Sequence, residues 1–246
     1  MKVVIWSPLN TSGYNTDLEK DKKWLDRRCE ILNQYVIPSL DMQTDKDFYW
    51  FLEVREDTAD MIIPQLDFMN VPVIVCKRPV VHNWKSGKGV AWERQEADIK
   101  KHIKDKTFYD VRLNSDDLYR KDFVKRLKSI GTKPDTQAII PKYGYLWYLS
   151  HDVVVERDHG SPPFHAFIYN TKEYLKGFRY RTRNGHVGVK NLRHITMKDR
   201  MWCWIVHDVN QKIIRKGGYP KHTKYKMSSK DVLKDFLPAE NQVVIY

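Results

Sequence analysis

The stretch Tyr109-Asp-Val-Arg-Leu-Asn-Ser-Asp-Asp-Leu-Tyr119 joins a short β-type run to a cluster of polar side chains. Val111 and Leu113 are the apolar members of the run, which ends in Asn114-Ser115-Asp116-Asp117. Two adjacent carboxylates repel each other, so a bound cation is their simplest physical account, and hard oxygen ligands suit Mg²⁺ or Mn²⁺. Such an ion usually completes its shell with phosphate oxygens of a substrate. The alternative interpretation is an Asx-type turn or a helix N-cap at Asp116 or Asp117.

Upstream of this stretch, apolar runs alternate with segments of helical spacing. The run at 48–54 is nearly continuous, as expected of a strand buried on both faces of a parallel sheet. We predict strands at residues 3–6, 48–54, 71–76 and 109–113, and helices at 24–36 (ended by Pro38), 59–68 and 91–104. This alternation predicts a right-handed, Rossmann-like parallel sheet with helices on both faces.

Ligands of such sheets bind beyond the carboxyl ends of the strands. Pro8, Glu56-Asp57 and residues 114–117 all follow predicted strands, so we expect them to lie close together. The chain contains neither the G-x-G-x-x-G pattern of dinucleotide sites nor the G-x-x-x-x-G-K-[ST] pattern of P-loops.

The pattern changes after a predicted helix at residues 121–130. Strands are predicted at 138–141, 143–149, 153–155 and 202–208, and the stretch 161–169 is predicted to be a Pro-Pro turn that runs into another strand. A short helix at 231–236 and an apolar run at 243–246 follow. The predicted fold class is therefore α/β: a mostly parallel sheet flanked by helices, with a mixed α+β second half.

Length and composition limit the classes of protein that remain. The 246 residues allow one large α/β domain, or one domain with an appendage, and 41% hydrophobic residues suffice for a core. No apolar run is long enough for a transmembrane segment, and the N-terminus becomes polar too soon for a signal peptide. Three scattered cysteines give neither a disulfide framework nor a zinc site, which favours the cytoplasm, or the host cytoplasm for a phage-encoded protein.

The net charge of +12 is concentrated in one quarter of the chain. Residues 170–230 contain 16 Lys and Arg but three Asp and Glu, so the rest of the chain is close to neutral. Such a local excess indicates a polyanionic partner, which is a nucleic acid, an anionic lipid or an acidic glycan. The alternative is a lysine-rich solvated surface.

Several spaced motifs resemble, in the same order, those of the GT-A glycosyltransferases of the rhamnosyltransferase family. They are Arg28…Ile37-Pro-Ser-Leu…Gln43-Thr…Asp47-Phe-Tyr-Trp, Glu56-Asp-Thr58, Val111-Arg-Leu-Asn-Ser-Asp-Asp117, Gly144-Tyr-Leu-Trp147, Ser161-Pro-Pro-Phe164 and Val206-His207…Asn210. The similarity covers residues 1–212. It implies a GT-A domain with a nucleotide-sugar-binding half at 1–130 and an acceptor half at 131–212, followed by a basic C-terminal extension at 213–246.

The resemblance implies a divalent metal that holds the diphosphate of the donor at an Asp-x-Asp-type motif. The matching residues here are Asn114-Ser115-Asp116, and Asn stands where the family usually has Asp. Asn114 is therefore expected to touch the ribose and Asp116 to bind the metal. Asp117 is expected either to support Asp116 without binding the metal or to act through a water molecule. His207, at a strand end, matches the late histidine that GT-A enzymes commonly give the metal, and imidazole suits Mn²⁺ better than Mg²⁺. The alternative for His207 is a buried structural histidine.

Further roles follow from position in the family pattern. Pro8 and the loop after it are expected to line the base pocket. Arg28 and Arg112 are candidates for diphosphate or nucleotide contacts, since a guanidinium fork matches phosphate oxygens, and the alternative is a surface ion pair. Asp57 is expected to meet the base or ribose, and its alternative role is a helix N-cap.

An inverting transfer also needs a general base beside the acceptor. Many GT-A enzymes use a Glu-Asp pair in the second half, and the matching stretch here is Asn184-Gly-His-Val-Gly188, which lacks the carboxylate. We predict that His186 is the base. Asp152, Glu156 and Asp158 are the rivals.

The function that the resemblance implies is transfer of a sugar from a nucleotide-diphosphate sugar to an acceptor hydroxyl. The composition is similar to that of bacteriophage proteins, and phages glycosylate hydroxymethylated bases in their own DNA. Hydroxymethylated DNA, bound through the basic residues 170–230, is therefore the predicted acceptor. The alternatives are a surface glycan or lipid-linked acceptor, and a non-catalytic protein that binds nucleic acid.

Overall fold

The computed structural model describes residues 1–11, 17–79, 88–210 and 226–244. Four parallel strands form its first half, in the spatial order β3-β2-β1-β4. They are β1 (Lys2–Pro8), β2 (Phe48–Arg55), β3 (Val73–Arg78) and β4 (Thr107–Arg112). Each joins the next through helical segments, so the predicted α/β class and parallel sheet are confirmed.

The second half extends the same sheet with mixed pairing. Its strands are β5 (Asp117–Tyr119), β6 (Ala138–Tyr148), β7 (Val153–Asp158), β8 (Ala166–Asn170), β9 (His194–Val206) and β10 (Lys226–Ser228). β8 runs antiparallel to β4 and β6, whereas β9 runs parallel to β6 and antiparallel to β5. The strands predicted at 138–141 and 143–149 are one strand, which continues through Pro141 with a register shift. Gly144 in this strand lets the ring of Trp202 pack against the backbone, because a Cβ there would lie 2.1 Å from that ring.

The longest helical region of the first half carries Arg28. It consists of α1 (Lys22–Ile31), a π-helical turn (Leu32–Val36) and α2 (Ile37–Asp41). The prediction that Pro38 ends this helix is wrong. The N–H of Ile37 bonds to the carbonyl of Leu32 in the wider π pattern, and Pro38, which has no N–H to donate, falls in the first turn of α2.

The other helices are shorter. They are α3 (Ala59–Ile62), α4 (Lys88–His102), α5 (Phe123–Ser129), α6 (Thr171–Tyr174) and α7 (Ser229–Leu233), with 3₁₀ turns at Leu18–Lys20, Glu56–Thr58, Ile63–Gln65, Leu149–His151, Gly185–Asn191 and Ala239–Asn241. The helix predicted at 59–68 is too long, because Pro64 lies in a 3₁₀ turn that stops at Gln65. The described helices include none long and apolar enough to cross a membrane.

Helices pack on both faces of the sheet and bury its central strands. Residues 226–244 take part, because β10 pairs with β7, and Leu233 and Phe236 pack in a core cluster with Tyr35 and Trp147. Cys29, Cys76 and Cys203 are buried free thiols. The division at residue 212 and the cytoplasmic location both stay predictions.

Candidate active site

The carboxyl ends of β1 and β4 lie side by side and carry the polar stretch that follows β4. The N–H of Leu113 donates to the carbonyl of Trp6 at 3.0 Å, which extends the pairing beyond Arg112. Ser115 Oγ then donates to the carbonyl of Pro8 at 2.8 Å. The two strand ends thus bring Pro8 and Ser115 into contact.

Arg28 reaches these strand ends from the buried face of α1. Its Nη1 donates to Asp116 Oδ2 at 2.5 Å, and its Nη2 donates to Ser115 Oγ at 2.5 Å. Arg28 is 4% exposed, so the ion pair is largely shielded from water. A positive charge belonging to the chain itself therefore stands beside Asp116.

His207 and Asn210 complete this cluster from the end of β9. His207 Nε2 lies 3.1 Å from Asp116 Oδ2, and Asn210 Nδ2 donates to the same oxygen at 3.0 Å. The antiparallel pairing of Asp117 with Trp204 brings the two distant segments together. One carboxylate oxygen therefore receives contacts from Arg28, His207 and Asn210.

The two neighbouring carboxylates have opposite electrostatic environments. Burial alone would raise the pKa of Asp116, but Arg28 and His207 outweigh it and hold this pKa well below its ordinary value. Burial, and then the charge of Asp116, raise the pKa of Asp117 well above its ordinary value. Burial also lowers the pKa of His207, so its imidazole is neutral near pH 7. The site thus combines an ionised Asp116 with a neutral His207.

Asp117 and Asn114 hold the turn that presents Asp116. Asp117 is fully buried; its Oδ1 accepts the N–H of Ile205 at 3.0 Å, and its Oδ2 accepts Asn114 Nδ2 at 2.6 Å. Arg112, which is exposed, donates from Nη2 to Asn114 Oδ1 at 3.5 Å. Both oxygens of Asp117 are engaged within the fold, whereas Arg112 faces the surface beside Asn114.

Asp116 and His207 fit a metal site that has two protein ligands. Cis ligands about 2.1 Å from an octahedral ion lie about 3 Å apart. The separation of Asp116 Oδ2 and His207 Nε2, 3.1 Å, matches that spacing. The described residues contain no cluster of three or more His, Cys, Asp or Glu side chains suited to a metal, so phosphate oxygens and water molecules would complete the shell. Arg28 competes for the same carboxylate oxygen.

Asp57 lies at the end of β2, in the turn that begins with Glu56. The Arg55 guanidinium makes a bidentate pair with Asp57, donating from Nε to Oδ1 at 2.9 Å and from Nη2 to Oδ2 at 2.7 Å. This fork lowers the pKa of Asp57. Asn10 closes the same corner, because its Oδ1 accepts the N–H of Arg55 at 3.0 Å. Asp57 lies inside this turn, whose N-cap is Arg55, and has 44% of its side chain exposed.

His186 belongs to a separate cluster beside the amino end of β8. Asn184 and Gly185 have φ angles of 61° and 60°, and this left-handed pair starts the 3₁₀ turn that carries His186. Gly188 keeps the turn tight, because a Cβ there would lie 2.1 Å from the carbonyl of Arg183. Ser161 Oγ donates to the carbonyl of His186.

Two further histidines flank His186. The ring of His159 lies 5.8 Å from that of His186, and His159 Nδ1 accepts the N–H of Ser161 at 3.1 Å. His165 is buried, and burial and the charge of Arg112 lower its pKa to about 3. The N–H of Arg112 donates to the carbonyl of His165 at 3.3 Å. The histidine cluster therefore adjoins the carboxyl end of β4.

The rival carboxylates all have structural partners. Asp152 accepts Trp147 Nε1 at 3.1 Å and Ser229 Oγ at 2.9 Å. Glu156 and Asp158 both pair with Arg200, at 2.7 Å and 3.1 Å. Their contacts favour roles in the β7 region of the fold over proton transfer.

Residues 211–225 of the basic segment 170–230 lie outside the described residues, and several side chains of the described remainder make internal contacts. The guanidinium of Arg179 stacks 3.3 Å from the ring centroid of Tyr174 and pairs with Glu96 at 3.2 Å. Tyr180 is half-buried and stacks on Tyr169, which occupies one face of its ring. Arg181, Arg183 and Lys190 are exposed and make no ion pair within the described ranges. The two arginines precede the turn that carries His186, and Lys190 lies in that turn.

Sequence reasoning left three contributors to these clusters without a role. They are Ser115, His159 and Asn210. Ser115 and Asn210 lie inside the motifs that carry the resemblance, so position could have flagged them. His159 had no signal, because its neighbour His186 lies 27 positions away and only the fold brings them together.

Comparison with known proteins comes from a family model and from solved structures. The family model "Putative rhamnosyl transferase" matches residues 16–175, about two thirds of the chain, and confirms the resemblance drawn from the motifs. No curated protein sequence matches the chain.

Among solved structures, the chain is similar to S. aureus TarS 1–349, at 13% identity and a TM-score of 0.42, with 83% of this chain and 60% of that chain covered. For the same protein in complex with UDP, the identity is 14% and the TM-score 0.44, with 84% of this chain and 61% of that chain covered. For the inositol-1-phosphate CTP transferase from T. maritima, the identity is 14% and the TM-score 0.38, with 89% of this chain and 98% of that chain covered. The chain thus spans about three fifths of the length of the TarS 1–349 chains. All three TM-scores are below 0.5, so the family match identifies the chain.

Proposed function

The chain belongs to the rhamnosyl transferase family, and on that premise we propose that it is a glycosyltransferase. It moves a sugar from a nucleotide-diphosphate sugar to an acceptor hydroxyl. The observation that carries this proposal is the convergence of Arg28, Asp116 and His207 at the carboxyl ends of β1 and β4. Ligands of open α/β sheets bind at such strand ends.

The donor diphosphate binds, in this proposal, between Arg28 and Arg112. A guanidinium offers a planar fork of donors that suits phosphate oxygens, and Arg112 is exposed at the strand end. Pro8, Asp57 and Asn114 lie on the same edge of the sheet and are the proposed contacts of the nucleoside. Arg28 would exchange part of its bond to Asp116 for a phosphate oxygen.

Asp116 and His207 are the residues that would hold a divalent ion, Mn²⁺ or Mg²⁺. A bound ion of this kind stabilises the negative charge that develops on the leaving diphosphate. Asp116 contributes an ionised carboxylate and His207 a neutral imidazole, which are the forms that bind metals. The nitrogen ligand favours Mn²⁺.

His186 is the proposed general base. Its imidazole takes the proton of the acceptor hydroxyl while that oxygen forms a bond to the anomeric carbon. The bond from this carbon to the diphosphate breaks, and the diphosphate leaves with the electron pair. His159 and His165 adjoin His186, and the pKa of His165 is about 3, so His165 stays neutral and does not compete for the proton.

The acceptor is, in the finer proposal, a polyanion such as DNA that carries hydroxymethylated bases. Arg181, Arg183 and Lys190 support this idea, because they are exposed and lie close to His186 in the chain. A glycan or lipid-linked acceptor is the competing class. A bound base would have to leave its stack to reach His186.

The test is release of nucleoside diphosphate from a panel of UDP-, GDP- and dTDP-sugars with Mn²⁺. We expect turnover by the wild type, loss in Asp116→Asn and His186→Gln, and retention in Glu156→Gln, whose carboxylate pairs with Arg200. Labelled sugar is then offered to hydroxymethylated duplex DNA, unmodified DNA and glycans. Binding to DNA without turnover of any donor would instead favour a non-catalytic nucleic-acid-binding protein.

A further inference from the structure

Asn210 closes the turn that follows β9 and touches both residues of the proposed metal site. Its backbone N–H donates to the carbonyl of His207 at 3.3 Å, and its Oδ1 accepts the N–H of His207 at 3.2 Å. The second bond fixes the amide, because a flipped amide would set its NH₂ group against that N–H. The NH₂ group of Asn210 therefore faces His207 Nε2 at 2.8 Å and Asp116 Oδ2 at 3.0 Å.

The same two acceptor atoms are faced by Arg28 from another direction. Arg28 Nη1 lies 2.5 Å from Asp116 Oδ2 and 3.4 Å from His207 Nε2. Nη1 and Asn210 Nδ2 each carry two hydrogens, so each can donate to Asp116 and to His207. A proton on Nε2 would point at one of these donors or compete with them for Oδ2. The arrangement is complete only when Nε2 carries a lone pair.

We propose that Asn210 is a positioning residue that sets the tautomer of His207, so that Nε2 presents its lone pair beside Asp116 and the proton resides on Nδ1. Nδ1 is buried and makes no hydrogen bond within the described part of the chain. No described group near Nδ1 selects the tautomer, so the selection comes from the groups around Nε2, which are Arg28, Asn210 and Asp116. This inference rests on the proposed function, because an unprotonated Nε2 is the form that binds a metal ion.

Imidazole ¹⁵N spectra of the metal-free protein, labelled in histidine, test the tautomer directly. The His207 signals are assigned by their loss in His207→Gln. In neutral buffer we expect Nε2 of the wild type to be unprotonated and Nδ1 protonated. In Asn210→Ala both tautomers become populated, and in Asn210→Asp, which keeps the shape but replaces the donor with an acceptor, Nε2 becomes protonated. Asn33→Asp, at a half-buried site where the amide donates to the carbonyl of Gln65, is the matched control and leaves the signals unchanged.

The proposal is overturned if Nε2 of the wild type is protonated, or if Asn210→Ala and Asn210→Asp both keep the wild-type spectrum. The wild-type arm decides even if a variant does not fold. Mn²⁺ binding, followed by electron paramagnetic resonance, gives a second readout, in which Asn210→Ala is expected to lose about tenfold in affinity. Absence of Mn²⁺ binding by the wild type would contradict the metal part of the proposed function and leave the tautomer result standing.

Discussion

Asp116 Oδ2 lies 3.1 Å from His207 Nε2, although 91 positions separate the two residues in the chain. The pairing of β5 with β9 produces this approach, because Asp117 stands opposite Trp204 and the chain reaches His207 three residues later. The residue before β5 and the residue after β9 therefore build one site. The proposed metal site depends on this contact between the segment after β4 and the segment after β9.

Arg28→Lys tests whether the guanidinium fork matters. Lysine offers one compact ammonium group, which cannot donate to Asp116 and Ser115 with the geometry of the fork. We expect about a tenfold loss of affinity for the nucleoside diphosphate of the donor, because the same fork is proposed to bind phosphate. Isothermal titration calorimetry measures it. Arg126→Lys, an exposed arginine paired with Asp122, is the matched control and should bind as the wild type does.

Asp152→Ala separates a structural role from a catalytic one. The change leaves Trp147 Nε1 and Ser229 Oγ without their acceptor, so we expect a loss of about 2 kcal/mol in the free energy of unfolding. Asp152 also has a φ of 46°, which alanine tolerates less well. Urea unfolding measures the loss, while turnover per folded molecule should stay unchanged. Unaltered stability with abolished turnover would instead make Asp152 the base.

Asp122 is expected to make stability depend on pH. Hydrogen bonds from Arg120, and also from Arg126, lower its pKa to about 2 against partial burial. A depressed carboxylate pKa stabilises the fold above the unfolded value and loses that effect as the pH falls toward the folded value. Asp122→Asn should therefore be less stable than the wild type by about 1 kcal/mol near pH 7. That gap should narrow between about pH 4 and pH 2, and a gap independent of pH in urea unfolding would contradict the assignment.

Much of the first half could be predicted from the sequence, because buried parallel strands and amphipathic helices leave strong local patterns. The run at 48–54 became β2, and 109–113 became β4, each within about two residues. Topology alone then brought residues 8 and 115 to one edge. The predictions were wrong where the surrounding structure outweighed the preference of a single residue. Pro38 predicts the end of a helix, because proline has no N–H to donate. Here it follows a π turn and lies in the first turn of α2, where the helix continues.

The site was less predictable than the fold, because its partners come from distant segments. Asp116 and His207 could be chosen from motif positions, whereas the bond between Arg28 and Asp116 spans 88 positions. The sequence also made Arg179-Tyr-Arg-Thr-Arg183 resemble a nucleic-acid groove. In the fold, Arg179 and Tyr180 pack on the rings of Tyr174 and Tyr169. The local sequence does not distinguish such a packed cluster from an exposed surface on which bases stack.

Arg181 and Arg183 test the polyanionic acceptor. Replacement of both by alanine should weaken binding to hydroxymethylated duplex DNA and reduce the slope of log affinity against log salt by about 2, because each phosphate contact contributes about 0.9. Lys125→Ala removes an exposed lysine of α5 and is the control that should leave the slope unchanged. Fluorescence anisotropy over a salt series measures both. Binding that is weak and indifferent to these changes would favour a glycan or lipid-linked acceptor.

The central claim is that Asp116, His207 and Arg28 form a site for a metal-bound nucleoside diphosphate. Its most direct test is a thermal-unfolding panel of UDP, GDP and dTDP, with Mn²⁺ or with EDTA, on the wild type, on Asp116→Asn and on the surface control Asp158→Asn. Because a ligand that binds the folded state raises its stability, we predict that one nucleotide raises the melting temperature of the wild type and of Asp158→Asn with Mn²⁺, but not that of Asp116→Asn. Equal stabilisation of Asp116→Asn, or no stabilisation of the wild type by any of them, would contradict the account.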